Sequence, residues 1–482
     1  MYITTTIPYV NARPHLGHAL ELVQADVLAR HHRRRGEPVR FQTGTDDNSL
    51  KNVLAAEAEG VPVRELVDRN ATVFEGLRRP LDLSFDAFIR TSSHPGHPAG
   101  VERIWQATEH DLYQRHYENL YCVGCEQFYT EGPCPDGHQA PLQQVSEENW
   151  FFRLSRYQDA LLELIRGGRL RIEPAARRNE VLAFIEAGLD DISISRSAAR
   201  ARGWGIPVPG DPAQVIYVWW DALANYVTAL EGDGYDRWWV SERRKVHLVG
   251  KGVIRFHAVY WPAMLLSAGE PLPTEIFVHD YLTVDGRKIS KSAGNSADPV
   301  ALVDAYGVDA VRWWLLRDVP RVGDADFTEA RLVGRADEDL ANGLGNLVNR
   351  VVTMVHRFLD GQVPDGPREE LVTVSDAVHE ALEDFDFRRA AVAVWAIVEE
   401  ANRYVERTQP WRQDRAGQEV SLGTLVHACR ALAVQLEPFL PTAAARVAAA
   451  VSGERLPARS RCSDGSPAPA RAPLVDGDRA EA

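Results

Sequence analysis

The chain has 482 residues, which is too long for one ordinary domain and predicts several. Of these residues 45% are hydrophobic and 25% are charged, which is the composition of a folded protein. Its formal net charge of −14 excludes a protein that coats nucleic acid non-specifically, but it does not exclude the binding of one RNA. The sequence has no run of about 18 apolar residues and no N-terminal basic segment followed by an apolar run. We therefore expect a cytoplasmic protein that has no membrane partner.

The first 115 residues predict two successive β-loop-α units. YITTTI is a β-branched strand, and prolines break it before an amphipathic helix from about His15 to Arg33. VRFQTGTDDN again joins a strand to a turn, and the alanine-rich SLKNVLAAEAEG follows as a helix. This alternation is typical of a doubly wound parallel sheet, in which ligands bind at the carboxyl ends of the strands. We predict an α/β fold whose first half spans residues 1–115.

Cysteine, glycine and proline then interrupt this alternation and predict an inserted module over residues 116–175. Cys122 and Cys125 have the spacing C-x2-C, and Cys134 and His138 form a second pair with the spacing C-x3-H. Such a set can form a closed tetrahedral zinc site with a structural role. The alternative is a metal-free knuckle that has kept some of its cysteines. The odd total of five cysteines favours a reducing compartment over a disulfide framework.

Alternating strands and helices resume after the insert. They predict the second half of the α/β fold over residues 176–270 and a linking region over residues 271–336. The spacing of apolar residues is then helical almost throughout, which predicts an all-α bundle over residues 337–455. The last 27 residues hold four prolines and six alanines without periodicity, so we expect a disordered tail over residues 456–482.

Two short motifs carry the chemistry. HLGH places His15, Gly17 and His18 at the start of a predicted helix, where unpaired N–H groups and the helix dipole favour an anion. KISKS holds Lys288 and Lys291, two of only five lysines in the chain. A compact charge on a flexible stem suits a loop that follows a moving phosphate. HLGH alone is a weak signal, but it becomes a strong one when it is paired with a lysine-rich loop about 270 residues later.

HLGH and KISKS resemble the two signature motifs of class I aminoacyl-tRNA synthetases. Further segments are similar to those of methionyl-tRNA synthetases, in this order: TTTIPYVNARPHLGHA, FQTGTD, YCVGCEQFY, ENWFFRLS, SRSAARARGWGIPVPGD, VIYVWWDALANYV, RFHAVYWPAML and YGVDAVRWWLLRD. The resemblance covers about residues 1–455. It implies a nucleotide-binding catalytic domain with an inserted knuckle module, followed by an anticodon-binding helical bundle.

The resemblance implies a methionine–tRNA ligase that forms methionyl-adenylate and pyrophosphate from methionine and ATP with Mg²⁺, then charges tRNA(Met). The implied catalytic residues are His15, His18, Lys288 and Lys291. The implied ATP contacts are Gly17, Gly250, Lys288, Ser290 and Lys291. The implied methionine contacts are Ile7, Tyr9, Asp46, Trp219, Tyr226, His257 and Trp261, with Asp46 on the α-ammonium. Aromatic walls suit a soft thioether. For Trp220 and Trp313 we expect core positions instead.

Three residues of the helical bundle are implied to read the anticodon. Asn346 and Arg350 are four residues apart on one helix face, and Trp411 follows a proline. An aromatic platform with amide and guanidinium groups on base edges is typical of single-stranded RNA recognition. The expected partners are therefore tRNA(Met), methionine and ATP, and no DNA. The sequence shows no appended tRNA-binding module, and we expect a monomer.

The chain departs from its relatives at several positions. Relatives usually follow Gly-Thr-Asp with Glu-His-Gly, whereas this chain has Asp47, Asn48 and Ser49. Gly252 stands where an acidic residue can bind the ATP ribose, and Leu223 stands where proline is common. We expect these changes to cluster around the substrates. They keep a second hypothesis open, a diverged paralogue with altered amino-acid specificity or inhibitor resistance. Intact HLGH and KISKS motifs disfavour a catalytically silent RNA-binding protein.

Overall fold

The computed structural model describes residues 1–122, 127–129, 133–134, 142–230, 232–284, 286–289, 297–369, 371 and 375–457. The chain divides into two compact units. The first unit comprises Met1–Pro299, Leu315–Thr328 and Asp376–Ala391. The second unit comprises Val300–Trp314, Glu329–Ser375 and Val392–Ala482. Most of the predicted tail, residues 458–482, lies outside the described residues.

The strands lie in the first unit, where β-branched and aromatic residues are frequent in them. They are β1 Tyr2–Thr5, β2 Arg40–Thr45, β3 Ala87–Arg90, β4 Leu112–Cys122, β5 Gln127–Tyr129, β6 Gln143–Phe152, β7 Arg171–Glu173, β8 Ile192–Ser193, β9 Ser195–Ser197, β10 Pro207–Val208, β11 Asp211–Ile216, β12 Lys245–Gly250, β13 Glu275–His279, β14 Leu282–Val284, β15 Arg287–Lys288 and β16 Ala325–Phe327.

Six of these strands form a parallel sheet in the order β3, β2, β1, β12, β13, β7. Strand β1 pairs with both β2 and β12, so the strand order reverses between β1 and β12. Strands β12 and β13 are in register with Gly250 opposite His279. In doubly wound sheets, ligands bind at the carboxyl ends of the strands beside such a reversal. The predicted α/β fold class is confirmed.

The helices alternate with the strands in the first part of the chain and dominate its last part. They are α1 Leu16–Arg34, α2 Leu50–Glu59, α3 Val63–Gly76, α4 His97–Ala107, α5 Gln158–Arg166, α6 Ala175–Glu186, α7 Val218–Thr228, α8 Trp261–Ala268, α9 Pro299–Tyr306, α10 Val308–Arg317, α11 Glu329–Arg335, α12 Asn346–Leu359, α13 Ser375–Glu383, α14 Phe387–Thr408, α15 Arg415–Leu436 and α16 Pro441–Ala450. Within the described ranges, no helix is long and apolar enough to cross a membrane.

A long antiparallel hairpin carries the inserted residues. Strands β4 and β6 pair from Leu112 opposite Phe152 to Tyr121 opposite Gln143, and β5 and β8 extend the same sheet. The predicted start of the inserted module, at residue 116, falls within β4. The segment between β4 and β6 is described only in part. The domain boundaries from the sequence therefore stay predictions.

Helices α12, α15 and α16 pack against one another in the second unit, in keeping with the predicted helical bundle. In the same unit, Trp313 packs against Trp395 with ring centroids 4.9 Å apart, and its indole N–H donates to Asp339 at 2.8 Å. Trp313 is therefore a core residue. Trp220 is likewise fully buried in the first unit, so both core predictions are confirmed.

Candidate active site

A cavity of about 740 Å³ opens at the carboxyl ends of β1, β2, β12 and β13. Helices α1 and α7 also contribute side chains to it. Every described residue that lines the cavity belongs to the first unit. The lining includes these residues implied by the sequence: Ile7, Tyr9, His15, Gly17, His18, Asp46, Trp219, Tyr226, Gly250 and His257. The fold thus brings the predicted phosphate and methionine groups into one chamber.

The first turn of α1 fixes which imidazole nitrogens of HLGH can donate. His15 is the N-cap, and its Nδ1 accepts a hydrogen bond from the backbone N–H of Gly17 at 3.1 Å. The backbone N–H of His15 donates to Nδ1 of His18, also at 3.1 Å. A ring whose Nδ1 accepts carries its proton on Nε2. A Cβ on residue 17 would lie 2.9 Å from Cε1 of His15, so glycine is needed for this ring position.

His18 is a neutral donor at pH 7. Burial lowers its pKa well below the usual value, and the neighbouring rings of His15 and His279 lower it further. The rings of His15 and His18 stack with centroids 3.8 Å apart. Two Nε2–H groups therefore lie at the end of a helix whose dipole favours negative charge. This arrangement suits a phosphate group.

Glu21 and His279, which we did not single out from the sequence, form an ion pair in the cavity wall. Nε2 of His279 lies 2.9 Å from a carboxylate oxygen of Glu21, and its Nδ1–H donates to the carbonyl of Asp280 at 2.9 Å. The backbone N–H of Thr6 donates to the other oxygen of Glu21 at 2.8 Å. Burial alone would lower the pKa of His279, but Glu21 outweighs burial and raises it. The available signal was a carboxylate in the apolar stretch of the helix, three residues after His18.

Tyr226 and His257 form a neutral hydrogen-bonded pair. The hydroxyl of Tyr226 donates to Nε2 of His257 at 2.7 Å, because Nδ1–H of His257 already donates to the carbonyl of Val253 at 2.9 Å. Burial lowers the pKa of His257 to about 4, so the ring is neutral at pH 7. Burial also raises the pKa of Tyr226 well above its usual value. The pair presents an uncharged polarizable wall, which suits a thioether.

Trp219 lines the cavity, whereas Trp261 lies behind it. The ring of Trp219 packs against those of Phe256 and Tyr260, with centroids 5.9 and 5.1 Å away. Trp261 is fully buried and is not among the described residues that line the cavity. Its ring centroid lies 6.0 Å from that of Tyr226. Trp261 therefore packs behind Tyr226, which lines the cavity. The implied direct contact of Trp261 with methionine stays a prediction.

Asp46 follows β2 and is held in the cavity wall by its own turn. The residue is only 2% exposed. Its carboxylate accepts from the backbone N–H of Asn48 at 3.2 Å, and its own N–H donates to the carbonyl of Pro8 at 2.9 Å. The side-chain amide of Asn48 donates to Asp221 at 2.8 Å. The turn that carries Asp46 is thus tied to α7, the helix that carries Trp219.

Three of the predicted departures from the relatives, at residues 47–49, are held by contacts with neighbouring elements. Asp47 accepts a hydrogen bond from the hydroxyl of Ser92 at 2.7 Å, and burial raises its pKa. The hydroxyl of Ser49 accepts from the backbone of α2 at 3.1 Å and caps that helix. Among the described residues that line the cavity are Leu223 and Gly252, but not residues 47–49. The expectation that these changes cluster around the substrates agrees with the positions of Leu223 and Gly252 in the lining, and it stays a prediction for residues 47–49.

Comparison with protein families covers nearly the whole chain. The family described as tRNA synthetases class I (M) matches residues 1–145 and 136–352, and the anticodon binding domain of methionyl tRNA ligase matches residues 366–462. The chain belongs to the methionine–tRNA ligase family. The family resemblance that we inferred from the sequence is therefore confirmed.

Similar members of the methionine–tRNA ligase family span most of this chain. The Brucella suis enzyme is 41% identical over 92% of this chain and 90% of its own, and the Caldanaerobacter subterraneus subsp. tengcongensis enzyme is 40% identical over 91% and 72%. The Mycobacterium tuberculosis methionyl-tRNA synthetase bound by methionyl-adenylate has a TM-score of 0.88 at 37% identity, over 95% of this chain and 98% of that one. These similarities confirm the catalytic fold and the helical anticodon-binding domain.

Several residues that this family implies lie outside the described residues. They are Ser290, Lys291, Cys125, His138 and the side chain of Lys288. Cys122 and Cys134 are described, and both are buried. No group of three or more His, Cys, Asp or Glu within the described ranges is arranged to hold a metal ion. That finding leaves the predicted zinc site untested, because it omits two of the four predicted ligands.

The three residues implied for anticodon recognition lie in the second unit of this ligase-family chain. Asn346 is exposed at the start of α12, and Arg350, one turn later, donates to Glu406 at 2.8 Å. Trp411 is 42% exposed within the short helix Pro410–Arg412, which contacts α12. An exposed indole near a helix with amide and guanidinium groups can stack on and contact an unpaired base.

Proposed function

We propose that this chain is a methionine–tRNA ligase, which forms methionyl-adenylate and pyrophosphate from methionine and ATP and then transfers the methionyl group to the 3′ end of tRNA(Met). One observation carries the proposal. The HLGH helix end, the buried carboxylate of Asp46 and the aromatic side chains of α7 line the same cavity. Membership of the methionine–tRNA ligase family supports this activity.

In this proposal, ATP enters with Mg²⁺ and places its phosphates at the first turn of α1. The Nε2–H groups of His15 and His18 donate to phosphate oxygens, and Gly17 leaves the helix end accessible. Displacement at phosphorus needs positioning and positive charge aimed at the leaving oxygens. Lys288 and Lys291 supply that charge to the departing pyrophosphate. Gly250, which follows β12, and Ser290 complete the ATP contacts.

Methionine binds with its α-ammonium on Asp46 and its thioether among aromatic rings. One oxygen of its carboxylate attacks the α-phosphorus of ATP, an O–P bond forms, and the bond from that phosphorus to the pyrophosphate oxygen breaks. Tyr9 and Ile7 line the same cavity as Asp46. The neutral pair Tyr226 and His257 disfavours a charged amino-acid side chain, because an unpaired charge is costly to bury.

Asn346, Arg350 and Trp411 read the anticodon of tRNA(Met) in this proposal. A structural zinc ion would be held by the insert through Cys122, Cys125, Cys134 and His138. The buried thiols of Cys122 and Cys134 fit such a site, since thiolates are preferred zinc ligands. Metal analysis of purified protein tests this site, and one zinc per chain is the expected result. We also propose that the protein is cytoplasmic and monomeric. Analytical sedimentation at micromolar concentration tests whether it is a monomer.

Two assays test the proposed function. Purified protein should catalyse methionine-dependent exchange of pyrophosphate into ATP, and it should charge tRNA(Met) with methionine. The absence of both activities from protein that is shown to be folded by circular dichroism would contradict the proposal. Exchange without charging would contradict only the tRNA step.

A second candidate function is the same chemistry on a related amino acid. Leu223 supports this candidate, because it lines the cavity beside Trp219 and Tyr226 and so helps to shape the pocket for the amino-acid side chain. Exchange assays with a panel of apolar amino acids separate the two candidates. A higher kcat/KM for another amino acid than for methionine would support the second candidate.

A further inference from the structure

Gly252 and Tyr281 compete for the same space in the cavity wall. Both residues line the cavity. A Cβ added at residue 252 would lie 2.2 Å from the hydroxyl oxygen of Tyr281 but 3.4 Å from its ring carbon Cζ. The first distance is far inside van der Waals contact, and the second is an ordinary contact. A side chain at position 252 would therefore have to displace the Tyr281 hydroxyl from the place that it occupies beside Gly252.

Neighbouring charges hold Tyr281 in this position. Its backbone N–H donates to the carboxylate of Asp324 at 3.0 Å, and Nζ of Lys251 donates to the same oxygen at 2.5 Å. Nζ of Lys251 also lies 4.5 Å from the centroid of the Tyr281 ring, within cation–π range. Burial would raise the pKa of Asp324, but the hydrogen bonds from Lys251 and Tyr281 outweigh burial and lower it. The ionised carboxylate of Asp324 thus holds both Lys251, the neighbour of Gly252, and the backbone of Tyr281.

The position of Tyr281 in the cavity indicates which part of the substrate it meets. Gly252 and Tyr281 line the cavity two residues after the ends of β12 and β13, next to the implied ATP contact Gly250, so we place the adenosine of ATP against this part of the lining. In this part of the lining, Asp280 is engaged by Arg177 and by the backbone N–H of Gly323 at 2.6 Å. A phenolic hydroxyl both donates and accepts, which matches the neutral hydroxyls of a ribose.

We propose that the hydroxyl of Tyr281 binds a ribose hydroxyl of ATP, and that Gly252 is the residue that leaves room for it. The proposal rests on the proposed function, because it takes ATP as the ligand of this cavity. It makes Tyr281 a specificity-determining residue for ribonucleotides. It also makes positions 252 and 281 interdependent, so that a side chain at the first conflicts with the hydroxyl at the second.

Deoxynucleotides test the contact directly. In methionine-dependent exchange, Tyr281→Phe should lower kcat/KM for ATP about threefold to tenfold, the effect of losing one neutral hydrogen bond. One of the two analogues, 2′-deoxy-ATP or 3′-deoxy-ATP, lacks the hydroxyl that Tyr281 contacts. For that analogue, wild-type and Tyr281→Phe protein should have the same kcat/KM. The KM for methionine should also be the same in both proteins. Tyr306→Phe, which removes a hydroxyl outside the cavity, is the matched control. Equal losses with all three nucleotides would overturn the proposal.

A double-mutant cycle tests the interdependence. Gly252→Ala alone should lower kcat/KM for ATP, because its methyl group displaces the Tyr281 hydroxyl. In the Tyr281→Phe background the same substitution should cost no more than a further factor of about two, since the conflicting oxygen is gone. Independent, multiplicative losses would overturn the proposal. Calorimetric binding of ATP and its deoxy analogues to wild-type and Tyr281→Phe protein keeps this test separate from the proposed function, because it needs no methionine or exchange.

Discussion

The side-chain amide of Asn48 donates a 2.8 Å hydrogen bond to the carboxylate of Asp221, and so joins the turn that carries Asp46 to helix α7. His97 lies 2.8 Å from the other oxygen of Asp221, and its second ring nitrogen lies 2.6 Å from the hydroxyl of Thr228. His97 and Asp221 are fully buried. Buried polar networks of this kind rigidify their surroundings when each member is satisfied. Contacts behind the cavity therefore set the distance between the ammonium site and the aromatic pocket.

We expect Asn48→Ala to raise the KM for methionine about threefold to tenfold, because Asp46 loses the tie of its turn to α7. The KM for ATP should stay within a factor of about two of the wild-type value. Asn48→His is the rescue variant, because its ring N–H can still donate to Asp221. Exchange kinetics with methionine and ATP varied separately check this split. A parallel rise in both KM values, with no rescue by histidine, would show that Asn48 has only a structural role.

The Glu21–His279 pair should make stability depend on pH. The pKa of His279 is higher in the folded protein than its value of 6.5 in the unfolded chain. The contribution of His279 to the free energy of unfolding is therefore fully present below pH 6.5, and it is lost as pH rises through the folded pKa. Glu21→Gln should therefore lower the free energy of unfolding by about 1–3 kcal/mol at pH 6, and by less as pH rises. Urea denaturation over a pH series measures the difference.

Glu37→Gln is the control for that experiment. Glu37 is 41% exposed and lies 2.9 Å from His32, whose pKa burial lowers despite the carboxylate. Its removal should not produce a stability loss that shrinks as pH rises. A difference between wild type and Glu21→Gln that stays constant from pH 6 to pH 9 would contradict the assignment of an ion pair to Glu21 and His279.

Lys291→Ala should lower the kcat of exchange by about a hundredfold or more, because its charge is needed as pyrophosphate departs. Methionine binding should change far less. Arg287→Ala, which removes an exposed cation four residues earlier, is the matched control and should retain near wild-type kcat. Exchange kinetics and methionine binding by calorimetry provide the comparison. An equal loss in methionine affinity would remove Lys291 from the proposed role.

Trp411→Ala should spare exchange and lower kcat/KM for tRNA charging about tenfold or more, because stacking on one base contributes about 1–3 kcal/mol. Its side chain lies in the second unit, whereas the described cavity lining lies in the first. Val434→Ala, which trims an exposed apolar side chain elsewhere in the second unit, is the control. Charging at an unchanged rate would exclude Trp411 from anticodon recognition.

Local sequence patterns were enough to predict most elements around the site. The β-branched run before Pro8 gives β1, and the amphipathic stretch after HLGH gives α1, which begins at Leu16. These elements follow from short-range properties: backbone propensity, helix capping and the spacing of apolar residues. The same short motifs were sufficient to identify the family. They could not place Glu21 opposite His279, because 257 residues of chain separate the two.

The sequence by itself determined the family, the order of strands and helices, and the residue types available for phosphate and methionine. Only the tertiary structure decided that Nδ1 of His18 accepts and so leaves its proton on Nε2, and that Trp261 stands behind Tyr226. It also decided that Gly252 makes room for the hydroxyl of Tyr281. The physical reason is that tautomers, burial and close approaches depend on contacts between segments far apart in the chain, whereas periodicity and motifs are local.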